Sequence, residues 1–371
     1  CACLVGSEMC IRDRYSDLNL ETVNAFVISD SYYDMSKSNI DGFADSVDII
    51  QTYKKKNDAA SGPDIDVTKD TFTVYLSGLD NMGSPDQQTR SDTNLILIVN
   101  PKANHIDMVS LPRDGYIPNA AYDYKNDKLT QTGNDVIENS VETIQNFFGI
   151  PIDYYARVSF NSLIEIVDTI GGIDVDVEID FCEQDENRSF KKEDLICLKK
   201  GKQHLNGKQA LAYSRHRKTK GYDNAGRERA QQRIIKAIIN KLISANGLTK
   251  VNDLMDIAPN YIITNMPAEK IADFVSGELN ELKPWTISSI TSDNGVYEDL
   301  YVASLDPSLG VSNVYLFSRD EVHAVVNAYD AARRQLQMNS FTFNLNDLYA
   351  NTPKINTSEN IRYADMAENP Q

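Results

Sequence analysis

Apolar residues recur along this chain with two different periods, and the change of period marks its elements. TFTVYLSGLD (71–80), NLILIVNP (94–101) and HIDMVSLPRD (105–114) are short β-rich runs ended by Gly, Pro or Asp, the pattern of strands. Leu95 to Val99 are apolar at every position, which predicts a strand covered on both faces. Helical spacing follows. Val141, Ile144, Phe147 and Phe148 lead to Gly149, and Leu163, Ile164, Ile166, Val167 and Ile170 lead to Gly171 and Gly172. A glycine just past the last periodic residue stops a helix. IDVDVEI (173–179) alternates as a strand, and QALAYSRHR (209–217) begins apolar and turns basic. The strongest helical stripe, Ile234, Ile235, Ile238, Ile239, Leu242 and Ile243, lies within 226–246 and ends at Gly247. Strands alternating with helices predict an α/β fold, a sheet with helices on both faces.

Outside that region the pattern weakens. Residues 15–70 are polar with short apolar islands and a loop-like DAASGPDID (58–66), which reads as a small accessory segment and a linker. The α/β domain is expected over 71–310, and 311–371 should hold a helix over Asp320 to Gln337 and then a polar, disordered tail. The first fourteen residues, CACLVGSEMCIRDR, have neither periodicity nor the apolar core of a signal peptide and are expected to be non-native. Any signal or membrane anchor would then lie before them.

Composition narrows the chemistry. Hydrophobic residues at 41% and charged residues at 25% suit a globular protein, which excludes a wholly disordered or fibrous chain. A net charge of −17 argues against nucleic-acid or anionic-membrane binding through the overall field, so any bound anion must meet a local basic patch. No run approaches the roughly 18 apolar residues of a membrane-spanning helix. Three of the five cysteines lie in the first fourteen residues. The other two, Cys182 and Cys197, flank the polar loop EQDENRSFKKEDLI without zinc-ligand spacing. They are either two free thiols or a disulfide that pins the loop, worth about 3 kcal/mol on the loop-entropy argument and implying an oxidising compartment.

The polar residues of interest sit where strands end and helices begin, the usual place for ligands in α/β sheets. Asp80 ends the first strand, Arg90 and Asp92 sit just before the second, and Arg113 and Asp114 end the third. Arg215 and Arg217 are two apart, so an extended segment would point both to one face. Between Tyr213 and Lys236 there are eight Lys or Arg and two acids, a local anion patch. On the helix that follows, Arg227 and Gln231 precede Ile234 and Ile238 on the stripe that becomes buried. An unpaired buried guanidinium is costly, and a phosphate at the helix N-terminus would supply its partner. Asp80 and Asp92 could hold Mg²⁺, a cation commonly bound by one or two carboxylates plus substrate phosphates. The competing reading is a surface salt-bridge network. The four histidines show no metal spacing, and no G-x-S-x-G elbow, P-loop or G-x-G-x-x-G occurs.

These residues in this order resemble the LytR-CpsA-Psr family of bacterial cell-envelope proteins. The resemblance rests on VYLSGLD (74–80), RSDTNLILIVNP (90–101), SLPRDGYIP (110–118), DKLTQTG (127–133), IDYYARVSF (152–160), IVDTIGGIDVDV (166–177), HLNGKQALAYSRHR (204–217) and GRERAQQ (226–232). It implies a three-layer α/β/α catalytic domain on the extracytoplasmic face of the membrane, mostly in Gram-positive bacteria. It also implies a phosphotransferase that moves a glycopolymer, teichoic acid or capsular polysaccharide, from a polyprenyl-diphosphate carrier to peptidoglycan. Hydrolysis of the same diphosphate, or binding of polyprenyl phosphates without turnover, are the alternatives. Carried over by position, Asp80 and Asp92 would hold Mg²⁺. Arg90, Arg113, Lys128, Arg215, Arg217, Arg227 and Gln231 would surround the diphosphate, with Asp92, Arg113, Asp114 and Arg227 catalytic and Asp92 or Asp114 accepting the hydroxyl proton. Partners would be the lipid-linked glycan, peptidoglycan and, through an anchor outside this chain, the membrane; nucleic acid is not expected. One position departs from the family, which often has an arginine where this chain has Ala230; Arg229 stands one place earlier, about 100° around a helix. The lipid tail would need an apolar tunnel, with the 160–170 and 234–243 helices as its walls.

Overall fold

The structure, a computed structural model, describes residues 63–333 apart from 64, 190, 221, 223, 243, 245–249, 282–284, 293, 307 and 309. The expected non-native segment, nearly all of the accessory segment and linker, and the expected tail lie outside the described residues.

Three strands open the fold: β1 (Phe72–Leu79), β2 (Ser91–Asn100) and β3 (His105–Leu111). Each pairs antiparallel with the next, so β1 and β3 finish at the edge where β2 begins. A short hairpin, β4 (Tyr116–Pro118) and β5 (Asn126–Lys128), and helix α1 (Ile137–Phe148) follow. Gly149 caps α1 in the left-handed conformation, φ 66°, as the glycine stop predicts. Next come β6 (Tyr154–Val158), α2 (Phe160–Thr169), β7 (Ile173–Val177), the hairpin β8 (Phe181–Glu183) and β9 (Ile196–Leu198), and β10 (Gly201–Leu205). Helices α3 (Gly207–Arg215), α4 (Asn224–Leu242) and α5 (Val251–Tyr261) lead to β11 (Ile263–Thr264), α6 (Ala268–Glu281) and β12 (Thr286–Ile290). β13 (Val296–Leu300), β14 (Ser312–Leu316) and α7 (Arg319–Arg333) complete it.

The central sheet is mixed, in the order β11-β6-β1-β2-β3-β12. From Asn94 to Asn100 every residue of β2 is buried, as its unbroken apolar run predicts. Alternate residues face two different cores. Tyr75, Ile96, Ile98 and Val109 pack with Ile144 and Phe148 of α1 and Val325 and Tyr329 of α7. Phe72, Leu95, Leu97 and Met108 pack with Ile235 and Ile239 of α4 and Phe274 of α6. The result is the expected α/β/α sandwich. A third cluster, including Val167, Val175, Leu205, Tyr213 and Ile234, joins α2, α3, β7 and β10 to the outer side of α4.

Two expectations are corrected. The boundary placed at residue 310 does not separate packing units, because β14 pairs with β13 across it and α7 supplies part of the sheet's core. Its cause is that a helix docked by one apolar stripe looks the same in sequence whether it covers its own domain or another. Arg215 and Arg217 do not share one extended segment, since Arg215 is the last residue of α3 and the extended backbone begins at His216. Cys182 and Cys197, opposite each other in the β8–β9 register, form a disulfide.

Candidate active site

The antiparallel order brings three chain segments to one edge: the end of β1, the start of β2 and the end of β3. The register then slips. Gly78 pairs with Thr93 but Leu79 pairs with Ser91, leaving Asp92 as the extra residue of a β-bulge. Bulges re-aim a side chain next to a site, and here the re-aimed group is a carboxylate. Gly78 allows the close approach, since a Cβ there would lie 2.9 Å from Cβ of Thr93.

Asp92 is held from two sides. Arg113 Nη1 donates to Asp92 Oδ2 at 2.5 Å, and Thr130 Oγ1 donates to Asp92 Oδ1 at 3.3 Å. The backbone ties the same groups, with Thr130 N–H donating to the Arg113 carbonyl at 2.8 Å. Burial pushes the Asp92 carboxyl above the usual range; the charges of Arg113 and Arg227 oppose that rise and the Asp80 charge adds to it. Asp80 is anchored by its own N–H, which donates to the Arg90 carbonyl at 3.1 Å. Its Oδ1 accepts from Arg188 Nη2 at 2.5 Å.

Arg227 enters from the first turn of α4 and is 6% exposed. Its Nε is buried with no hydrogen-bond partner. Burial, then the charges of Arg113 and Arg217, favour loss of its proton, while Asp92 opposes this. Arg227, Arg113 and Arg217 therefore crowd positive charge around one carboxylate. An anion would relieve that crowding and give Nε a partner.

The remaining expected residues divide. Asp114 and Lys128 pair with each other at 3.0 Å. Arg215 lies over the Phe160 ring at 5.3 Å, and its Nη1 donates to the Asp185 carbonyl at 3.2 Å. Gln231 gives its side-chain amide to the Ser214 carbonyl at 3.3 Å, which ties α4 to α3. Arg90 is exposed and meets Asp80 through its backbone. The basic patch also splits. Arg229 pairs with Glu178 at 3.3 Å, Arg233 donates to the Asp176 carbonyl and Lys236 to the Ile287 carbonyl, all away from Asp92. Ala230 is fully buried, so the one-residue shift takes Arg229 out of the site.

Sequence reasoning missed three contributors. Thr130 has no signal beyond its place in DKLTQTG. His216, between the two arginines, donates or accepts at Glu183 Oε2 (3.0 Å) and Thr219 Oγ1 (2.8 Å) and stacks on Phe181, so it fixes the segment that carries Arg215 and Arg217. Arg188 reaches Asp80 across 108 residues, and only the flanking cysteines mark its loop.

Among the described residues no group of three or more His, Cys, Asp or Glu could hold a metal ion. Asp80 and Asp92 nevertheless lie in each other's field. Two carboxylates suit Mg²⁺, which is commonly held by one or two of them together with a substrate's phosphate oxygens rather than by an all-protein cage. An apolar cavity of about 220 Å³ lies between the sheet and α4, α5 and α6, lined by Leu97, Ile106, Ile239, Leu254 and Phe274 among others. The 234–243 helix is a wall as expected, but α2 contributes nothing; α5 and α6 take its place.

Comparison with known proteins gives concordant matches. The LytR_cpsA_psr family model matches residues 35–307. The polyisoprenyl-teichoic acid–peptidoglycan teichoic acid transferase TagV of Bacillus subtilis (strain 168) is 31% identical over 268 residues, 69% of this chain and 62% of TagV. The polyisoprenyl-teichoic acid–peptidoglycan teichoic acid transferase TagU of the same strain is 34% identical over 236 residues, 62% of this chain and 72% of TagU. The chain thus spans less than two thirds of the length of TagV. A crystal structure of B. subtilis TagV superposes with TM-score 0.58 at 27% identity, over 72% of this chain and 98% of that one. A structure of TagT bound to LIIa-WTA, at 22% identity and TM-score 0.56, covers 73% of this chain and 94% of that one and shares the fold.

Proposed function

This chain belongs to the LytR_cpsA_psr family, and on that premise we propose that it transfers a glycopolymer, teichoic acid or capsular polysaccharide, from a polyprenyl-diphosphate carrier to peptidoglycan. The relatives named above as teichoic acid transferases support the reaction class. The observation that carries the reading is the buried Arg227 guanidinium, its Nε without a partner, in the field of Arg113 and Arg217.

The chemistry follows from the charges. The acceptor hydroxyl attacks the phosphorus next to the sugar, a new P–O bond forms, the bond to the bridging oxygen breaks, and polyprenyl phosphate leaves. Arg113, Arg217 and Arg227 bind and orient the diphosphate and stabilise the charge that develops on it. Arg215 and Lys128 flank them, Gln231 holds α4 against α3, and Arg90 sits at the rim. Asp92 or Asp114 accepts the hydroxyl proton. Mg²⁺, held by Asp80 and Asp92, would supply further charge neutralisation on the diphosphate when bound. The Cys182–Cys197 disulfide supports an extracytoplasmic setting, because disulfides persist in oxidising compartments. Among the described residues no helix is long and apolar enough to cross a membrane.

The test is transfer from polyprenyl-diphosphate glycan to peptidoglycan by the purified chain, with and without chelator. Arg227→Ala should reduce the rate by about a hundredfold or more, and chelation should reduce it too. Equal transfer by wild type and Arg227→Ala overturns the reading. Phosphate release without peptidoglycan would point to hydrolysis instead, and tight binding without product to a binding module.

A further inference from the structure

The β8–β9 hairpin does more than cover α3. The hairpin meets the body of the protein through Arg188 on Asp80, the Asp185 carbonyl on Arg215, Glu183 at the end of β8 on His216, and Glu186 on Lys208 at the start of α3. The loop also has internal order. Ser189 N–H donates to Asp185 Oδ1 at 2.8 Å, Ser189 Oγ to Asp194 Oδ2 at 2.6 Å, and Gln184 Nε2 to the Arg188 carbonyl at 3.0 Å. Arg188 itself adopts the left-handed conformation, φ 59°, which a non-glycine residue adopts at a cost that its surroundings must offset.

Magnitudes show what holds it there. The Arg188–Asp80 pair is 54% and 36% exposed, and an exposed pair contributes at most about 1 kcal/mol. That is too little to order a loop of this length. The disulfide across the hairpin joins the two ends of this loop covalently over a sequence separation of 15. It therefore presents Arg188 beside the site. A guanidinium has five N–H donors and Asp80 takes one of them. The half-exposed side chain presents the rest outward, next to Arg215. Asp185 ties the two together, accepting from Arg215 through its carbonyl and from Ser189 N–H, next to Arg188, through its side chain. Burial, then the Arg188 charge, disfavour the charged form of Arg215, and an anion would relieve that repulsion.

We propose that Arg188, delivered by the disulfide-closed hairpin, is a further phosphate-binding residue of this site, contacting the diphosphate from the Asp80 side. The proposal rests on the headgroup reading above and adds a binding residue outside the family motifs.

The test is titration calorimetry of the full chain with farnesyl diphosphate in magnesium-free buffer. Arg188→Ala should weaken binding about tenfold, and Arg188→Lys should recover part of the loss, since lysine keeps the charge but not the fork. The same Arg188→Ala loss should appear in an Asp80→Asn background. A loss confined to the chain with Asp80 intact would mean that Arg188 merely screens that carboxylate, and would overturn the proposal. Reducing the disulfide, or replacing it by Cys182→Ser with Cys197→Ser, should weaken binding about threefold with Arg188 present and not at all in Arg188→Ala. Equal losses in both backgrounds would overturn the role of the hairpin as a tether, and wild-type affinity in Arg188→Ala would overturn the whole inference. Undiminished binding in Arg227→Ala beside a loss in Arg188→Ala would instead overturn the headgroup reading and leave Arg188 as an anion site. Absence of binding by every form overturns both.

Discussion

Two buried charged residues on neighbouring elements answer to different forces. Arg227 is buried with an open Nε, whereas Glu183 is buried with its partners in place. Burial alone would raise the Glu183 carboxyl, but the His216 hydrogen bond, the Gln184 N–H and the Lys218 charge outweigh it and hold it at about 2. A carboxylate lowered on folding stabilises the protein above its ordinary value of 4.5 and loses that contribution as pH falls through about 2. Glu183→Gln should therefore destabilise by about 2–3 kcal/mol at pH 7 and by much less near pH 2. Thermal melts at the two pH values check this, and an equal shift at both would contradict it. Arg229→Ala should leave transfer within about twofold of wild type, because its partly exposed side chain pairs with Glu178 rather than with Asp92. Residues such as Arg227 are legible in sequence because a polar first turn on a stripe that later becomes apolar has few structural uses. Arg188 and His216 are not, because their partners are set by how a hairpin and a helix end fold over the site.

At the scale of elements, the strands and helices follow from period and stop signals, while their geometry of meeting does not. The Asp92 bulge is an example: the run that predicts the strand begins only at Asn94, whereas β2 extends back to Ser91, and nothing in the sequence before Asn94 announces an extra residue. It arises from the pairing of Gly78 with Thr93. Gly78→Ala should push β1 from β2 at that point, costing about 1–3 kcal/mol as an overpacked contact does. It should also misdirect Asp92, so transfer should fall by more than the lost folded fraction. Melting temperature and rate measured on the same preparation separate the two effects. The end of the domain was equally hidden. β14 and α7 complete the sheet's hairpin and core, but no local signal ties them to strands two hundred residues earlier.

For the whole molecule, the three-layer order sets charged and apolar chemistry on opposite ends of one helix. Ile239 of α4 faces the cavity, twelve residues beyond Arg227. Ile239→Trp should fill that space and weaken binding of a long polyprenyl diphosphate by about tenfold while leaving inorganic pyrophosphate unaffected. Parallel titrations with the two ligands check it, and equal losses for both would mean the cavity does not take the tail. The backbone positions of Arg227 and Ile239, twelve residues apart on one helix, are separated by about 18 Å along its axis. If the guanidinium holds the head and the cavity the tail, as proposed, α4 acts as a measuring rod, and affinity should rise only once the isoprenoid outreaches it, a backbone distance that no single side chain encodes.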